Sequence, residues 1–222
     1  MKPKNRRHLL WLTLYAIAMA QVEAAVVVHL RSVYYPGHPL ELFPLSLLSH
    51  RDLGIELIRE AATVVMIFTV ALLAERGFTR VFAAFVYVFG MWDIFYYAWL
   101  KLMIGWPADW FEWDILFLIP WPWFGPWTTP ALIALLFVFW GGRVLSSPRE
   151  FHFSPISGLA FLIGTALALA AFLLPAYPLL AAGEEAFRSF QPQGFYWLLY
   201  GPGLLLMAYG LWGVARKGDI RL

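Results

Sequence analysis

Three acidic residues, Glu23, Glu60 and Asp93, each lie within a stretch of sequence that is apolar enough to cross a membrane. A carboxylate in the hydrocarbon core is costly and rare, and it usually has a partner or a function. Carboxylates gathered in a medium of low dielectric constant repel one another and share protons, which suits a proton or cation step in transport. The same groups can act as oxygen ligands for a divalent metal ion, or as the general acid and base of a membrane-embedded enzyme. The three acids are therefore the first candidates for a functional site.

Polar neighbours extend this candidate site along each predicted helix. Glu56 lies one turn before Glu60, and Tyr97 lies one turn after Asp93. Arg31 lies about two turns beyond Glu23, and its long side chain can extend toward that acid. The candidate pocket for a proton or cation therefore consists of Glu23, Glu60, Asp93, Glu56, Tyr97 and Arg31. A purely structural role, in which each acid bonds to a neighbouring polar group and only fixes the helix packing, is equally compatible with the sequence.

A divalent metal ion is the only cofactor that the sequence suggests, and the pattern is weak. Its candidate ligands are Glu23, Glu60, Asp93 and His29. His29 is six residues from Glu23 and so lies on a different helix face, and the Glu-x-x-His pairs of ferritin-like di-metal bundles are absent. Cysteine is also absent, which excludes thiolate metal sites and cysteine nucleophiles. No catalytic residue can be assigned from these spacings.

Composition identifies the elements that must position the acids. The 222 residues are 61% hydrophobic and 14% charged, whereas soluble domains are roughly 45–50% apolar and about 25% charged. Six apolar runs approach or exceed the length of about 20 helical residues that crosses a membrane, and no strand pattern is visible. We therefore predict an all-α, polytopic integral membrane protein with a single transmembrane helical domain of six spans. The spans are 9–30, 53–74, 81–102, 128–143, 156–177 and 195–215.

The distribution of basic residues predicts the orientation of these spans. If the N-terminus is cytoplasmic, eleven of the sixteen lysines and arginines lie on the inner side: Lys2, Lys4, Arg6, Arg7, Arg76, Arg80, Arg143, Arg149, Arg216, Lys217 and Arg221. By the positive-inside rule we expect a multi-pass protein of a bacterial inner membrane with both termini in the cytoplasm. A signal-peptide cleavage site at 18–20 is disfavoured because the apolar run continues to residue 30. The small net charge of +2 and the absence of a basic cluster disfavour a nucleic-acid partner.

This topology places the three acids at a similar depth. Each lies seven to nine residues from the outer end of its span, which corresponds to roughly 10–14 Å at 1.5 Å per residue. Short connections make the first three spans neighbours, so we expect the acids to converge in a pocket that opens outward. No polar residues continue inward from Asp93 to make a channel.

The segment 105–127, between the third and fourth spans, is rich in tryptophan and proline. It holds six of the twelve tryptophans and four of the fifteen prolines. The preference of tryptophan for the headgroup level predicts an amphipathic segment along the outer surface of the membrane. The alternative is a re-entrant lid over the acids, with Trp110, Glu112, Trp113 and Asp114 as its candidate residues. The expected partners are the lipid bilayer and, through this aromatic segment, other membrane subunits.

The leading hypothesis from the sequence is proton or cation handling by the carboxylates, in a small transporter or a subunit of a larger membrane complex. The first alternative is a membrane-embedded enzyme that uses the same carboxylates as metal ligands or as general acid and base. The second is a purely structural membrane subunit.

Overall fold

The computed structural model describes residues 3–38, 40–149 and 151–216. The described chain is mostly helical. Its elements, in chain order, are α1 (Pro3–Tyr34), α2 (His50–Ala74), α3 (Phe78–Ile104), β1 (Trp113–Phe117), β2 (Trp123–Pro126), α4 (Thr128–Ser146), β3 (Phe151–His152), α5 (Pro155–Leu173), α6 (Tyr177–Ala182), α7 (Glu184–Arg188), α8 (Trp197–Trp212) and β4 (Ala215–Arg216). Three of the basic residues used to predict the orientation, Lys2, Lys217 and Arg221, lie outside the described residues.

Five helices in the described part of the chain, α1 to α5, are long and apolar enough to cross a membrane. The sixth predicted span corresponds to α8, which is apolar but has only 16 residues, or about 24 Å of helix. Its role as a span stays a prediction. The fifth predicted span ends four residues early, at Leu173, because Pro175 cannot continue the hydrogen-bonding pattern of a helix. A short separate helix, α6, follows.

The helices pack in two groups through small residues. In the first group α3 packs against α1, α2 and α4, and in the second α5 packs against α8. A Cβ atom built on Gly90 of α3 would lie 2.5 Å from the carbonyl oxygen of Ala134 in α4, and one on Gly164 of α5 would lie 2.6 Å from that of Gly203 in α8. Because only glycine permits such close approach of two backbones, these residues fix where the helices cross.

The tryptophan-rich segment is a β-hairpin, which the sequence analysis did not predict. Strands β1 and β2 pair antiparallel, with Trp113 opposite Pro126 and Ile115 opposite Phe124. Phe124 is fully buried, and Gly125 packs against aromatic rings from α5 and the chain before α8. The hairpin therefore lies between the two groups of helices. Four of the five residues of β1 are apolar, so the strand lacks the alternation of apolar and polar residues that identifies a half-exposed strand.

Candidate functional site

Arg59 of α2 is the centre of an ion-pair cluster that joins α2 to α1. Its Nε and Nη2 atoms donate hydrogen bonds of 2.8 and 2.6 Å to Oε2 of Glu56, and its Nη1 atom donates to Glu23 of α1. The hydroxyl of Thr63, one turn further along α2, lies 3.4 Å from the second oxygen of Glu23. Arg59 is absent from the pocket predicted from the sequence, so this role was missed. Its position three residues after Glu56, on the same helix face, is the signal that could have revealed it.

Glu60 connects α2 to the hairpin. Its Oε2 atom accepts a 2.9 Å hydrogen bond from the backbone N–H of Leu118, just beyond β1. Glu60 is 7% exposed and forms no ion pair within the described residues. One carboxylate oxygen thus fixes the hairpin, and the other has no described partner.

Arg31 of α1 and Asp114 of β1 form a second, buried ion pair. The Nη2 atom of Arg31 lies 3.4 Å from Oδ1 of Asp114, and the hydroxyl of Tyr97 donates to Oδ2 at 3.2 Å. The guanidinium of Arg31 also stacks on the buried ring of Trp106, 4.0 Å from its centroid, a favourable cation–π contact. Burial raises the pKa of Asp114 to about 6, although the positive charge of Arg31 opposes this shift. The expectation that Arg31 extends toward Glu23 was wrong, because Asp114 of the hairpin is its partner.

Asp93 of α3 is the acid without a partner. Its residue is 9% exposed, and its Oδ2 atom is buried and has no hydrogen-bond partner. No other described side chain forms an ion pair with it. A buried polar group without a hydrogen bond is unfavourable, so a bound proton, water or ligand would stabilise Asp93.

The side chains described above line two adjoining cavities. We call the seven charged residues among them the charge cluster: Glu23, Glu56, Glu60, Asp93, Asp114, Arg31 and Arg59. The larger cavity, of about 130 Å³, is lined by Arg31, Glu56, Arg59, Glu60 and Asp114 of the cluster, with Tyr34, Tyr35, Ser46 and Tyr96 and apolar residues beside them. The smaller cavity, of about 50 Å³, is lined by Glu23, Arg59, Glu60 and Asp93, with Thr63 and Tyr97. Because Arg59 and Glu60 line both, the cavities are neighbours along α2. All six residues of the predicted pocket therefore border one or the other.

The four candidate lid residues have different surroundings. Asp114 lines the larger cavity. Trp110 is 69% exposed and stacks on Trp127, and Trp113 packs edge-on against Phe195. Glu112 accepts hydrogen bonds from the backbone N–H groups of the preceding turn. Asp114 is thus the lid candidate that belongs to the charge cluster.

His29, the weak metal-ligand candidate, lies apart from the cluster. Its Nδ1 atom is 2.7 Å from the carbonyl oxygen of Ala25, one turn back on α1, and it lines neither of the two cavities. Over the described ranges, no group of three or more histidine, aspartate or glutamate side chains is arranged to hold a metal ion.

Comparison with known proteins leaves the function to be inferred from this geometry. The chain matches no protein-family model, no curated protein and no solved structure. The charge cluster and the apolar helices that carry it are therefore the basis for a functional proposal.

Proposed function

We propose that this chain is a multi-pass membrane protein that handles a proton or another small cation at its charge cluster. It acts as a small transporter or as the ion-handling subunit of a larger membrane complex. The observation that carries the proposal is the imbalance of charge in the cluster, which has five carboxyl groups and two guanidinium groups. Fully ionised, it would hold three excess negative charges among buried and partly buried residues. Protons or cations would neutralise that excess, because a charge in a low-dielectric interior requires a partner.

Asp93 is the acid that distinguishes this function from simple helix packing. Packing accounts for Glu23 and Glu56, which pair with Arg59, and for Glu60, which anchors Leu118. It does not account for Asp93, which lines the smaller cavity and has a buried oxygen without a partner. A proton or cation that enters the cavity would supply the missing partner.

The positions of the helix ends indicate the route of entry, and from them we infer that the site opens to the outside of the cell. The larger cavity is bordered by Tyr34 and Tyr35 at the end of α1 and by Ser46 in the loop that precedes α2. The opposite end of the bundle carries Arg80, which pairs with Glu75. With this basic end in the cytoplasm, with α8 as the sixth span, and with the chain in a bacterial inner membrane, the cavities face outward.

Ion movement in proteoliposomes tests the proposal. The full chain is reconstituted with an entrapped pH-sensitive dye, and a potassium diffusion potential drives proton movement. Sodium and potassium uptake, and cation binding by calorimetry, are measured in parallel. We expect Asp93→Asn to abolish the ion movement or binding of the wild type. Asp109→Asn, which removes an exposed acid from the segment before the hairpin, should leave it unchanged. A wild type that neither moves nor binds any of these ions, or an Asp93→Asn variant that behaves like the wild type, would overturn the proposal.

A further inference from the structure

Arg31 has an unusually small number of partners for a buried arginine. A guanidinium group carries five N–H donors. Arg31 is 3% exposed, yet the only described hydrogen bond of its guanidinium group is the 3.4 Å contact with Asp114, and its Nη1 atom is buried without a partner. Arg59 is more exposed and donates three hydrogen bonds to two acids. Arg31 therefore has capacity to bind an anionic group, and carboxylates suit its planar fork.

Carboxylate oxygens without partners line the same cavity as Arg31. Glu60 accepts its one described hydrogen bond at Oε2, from Leu118, and forms no ion pair within the described chain. Glu56 accepts both of its described hydrogen bonds at Oε2, from Arg59. The Oε1 atoms of both acids are thus available to a donor. A single cavity therefore offers a cationic donor and anionic acceptors that the protein itself does not satisfy.

The volume of the larger cavity limits the size of a ligand that could bind both Arg31 and the free carboxylate oxygens. Its volume is about 130 Å³, and a cavity of about 150 Å³ in another protein holds one benzene molecule. The space therefore suits a ligand of roughly six non-hydrogen atoms. Val27, Leu30 and Leu118 supply apolar wall between the charged groups, which suits a small aliphatic part.

We propose that the larger cavity binds a small zwitterion of the α-amino acid class, with its carboxylate on Arg31 and its ammonium group on Glu60. A simple cation would leave the Nη1 atom of Arg31 without a hydrogen-bond partner, and a simple anion would leave the Oε1 atom of Glu60 without one. The inference rests on the proposed function, because the excess acid of the charge cluster holds the ammonium end. Asp93, in the adjoining cavity, then remains available for the proton or cation that accompanies the ligand.

The test compares three related probes on the purified full chain in lipid nanodiscs: one zwitterion, and the two molecules that result when one of its charged groups is replaced by hydrogen. L-Alanine carries both charges, ethylamine carries only the ammonium group, and propionate carries only the carboxylate. Calorimetry is expected to show binding of alanine and at least about tenfold weaker binding of the other two, since each lacks one charged hydrogen-bonding partner. Arg31→Gln should weaken alanine binding by a similar factor. Arg51→Gln, which removes an exposed arginine of α2, should not.

The possible outcomes distinguish a failure of the zwitterion site from a failure of the proposed function. Alanine that fails to bind, while ion movement still depends on Asp93, would overturn the zwitterion site and leave the proposed function in place. Ethylamine that binds as tightly as alanine would overturn the role of Arg31 in favour of a simple organic cation. If Arg31→Gln does not fold, Arg31→Lys supplies the second variant. It keeps the positive charge but loses the planar fork, so alanine binding as tight as that of the wild type would contradict the proposed contact.

Discussion

Replacing Arg59 with glutamine is the most informative perturbation of the charge cluster, because it removes the partner of two acids. The exposed fraction of the side chain is 21% for Arg59, 12% for Glu23 and 6% for Glu56. Removal of one member of a buried ion pair costs about 3–5 kcal/mol, because an uncompensated charge remains. Arg59 keeps partial contact with solvent, so we expect the lower end of that range, about 3 kcal/mol.

The assay is equilibrium unfolding in mixed micelles of a mild detergent and sodium dodecyl sulfate, followed by circular dichroism. Arg51→Gln is the matched control, since Arg51 is exposed on the same helix, and it should change the free energy of unfolding by less than about 0.5 kcal/mol. The double variant Glu23→Gln with Arg59→Gln should recover part of the loss, because it also removes one of the unpaired carboxylates. An Arg59→Gln variant as stable as the control, or a double variant less stable than Arg59→Gln alone, would refute this account of the cluster.

Three further predictions use the same unfolding measurement. Gly164→Ala places a Cβ atom 2.6 Å from backbone atoms of α8 and should cost about 1–3 kcal/mol. Gly158→Ala, on the same helix, is the control, because a Cβ atom there would have no neighbour within 4 Å. Equal losses of stability in the two variants would contradict the close packing of Gly164 against α8. Glu60→Ala leaves the N–H of Leu118 without its acceptor and should lower the free energy of unfolding by about 1–3 kcal/mol. Glu60→Gln keeps an acceptor oxygen, so an equal loss of stability in this variant would argue against the hydrogen bond. Burial raises the pKa of Asp114 to about 6, so the folded state binds this proton more tightly than the unfolded state does. The resulting contribution to the free energy of unfolding is complete below about pH 4 and is lost as the pH rises to about 6. Asp114→Asn should flatten the pH dependence in that window, and an unchanged slope would contradict the shift.

Hydropathy and residue spacing are sufficient to locate the three acids in the sequence, because a carboxylate within an apolar run is easily recognised. Depth and short connections led to the expectation that Glu23, Glu60 and Asp93 would converge, and the structure places all three on the smaller cavity. The helices themselves follow from the same apolar runs, and their ends follow from local signals such as Pro175. The helices and their ends depend on residues that are close together in the sequence.

The partners of the acids could not be predicted in the same way. Arg31 bonds to Asp114, 83 residues away, and that pair depends on a hairpin whose strands carry no alternating pattern. Arg59 could have been assigned to the outer surface or to the cluster, because its side chain is long enough for either. The choice depends on where α1 presents Glu23, which is a property of helix packing and not of local sequence.

The central claim is that acids from different helices act as one site, and a double-mutant cycle on Glu60 and Asp93 tests it most directly. The free energy of unfolding is measured for the wild type, Glu60→Gln, Asp93→Asn and the double variant. Residues in one network show interaction energies of about 0.5–3 kcal/mol, whereas independent sites add within about 0.3–0.5 kcal/mol. We predict an interaction energy above about 0.5 kcal/mol, because both acids line the smaller cavity and residues that share a cavity are coupled. Additive effects would contradict a shared site.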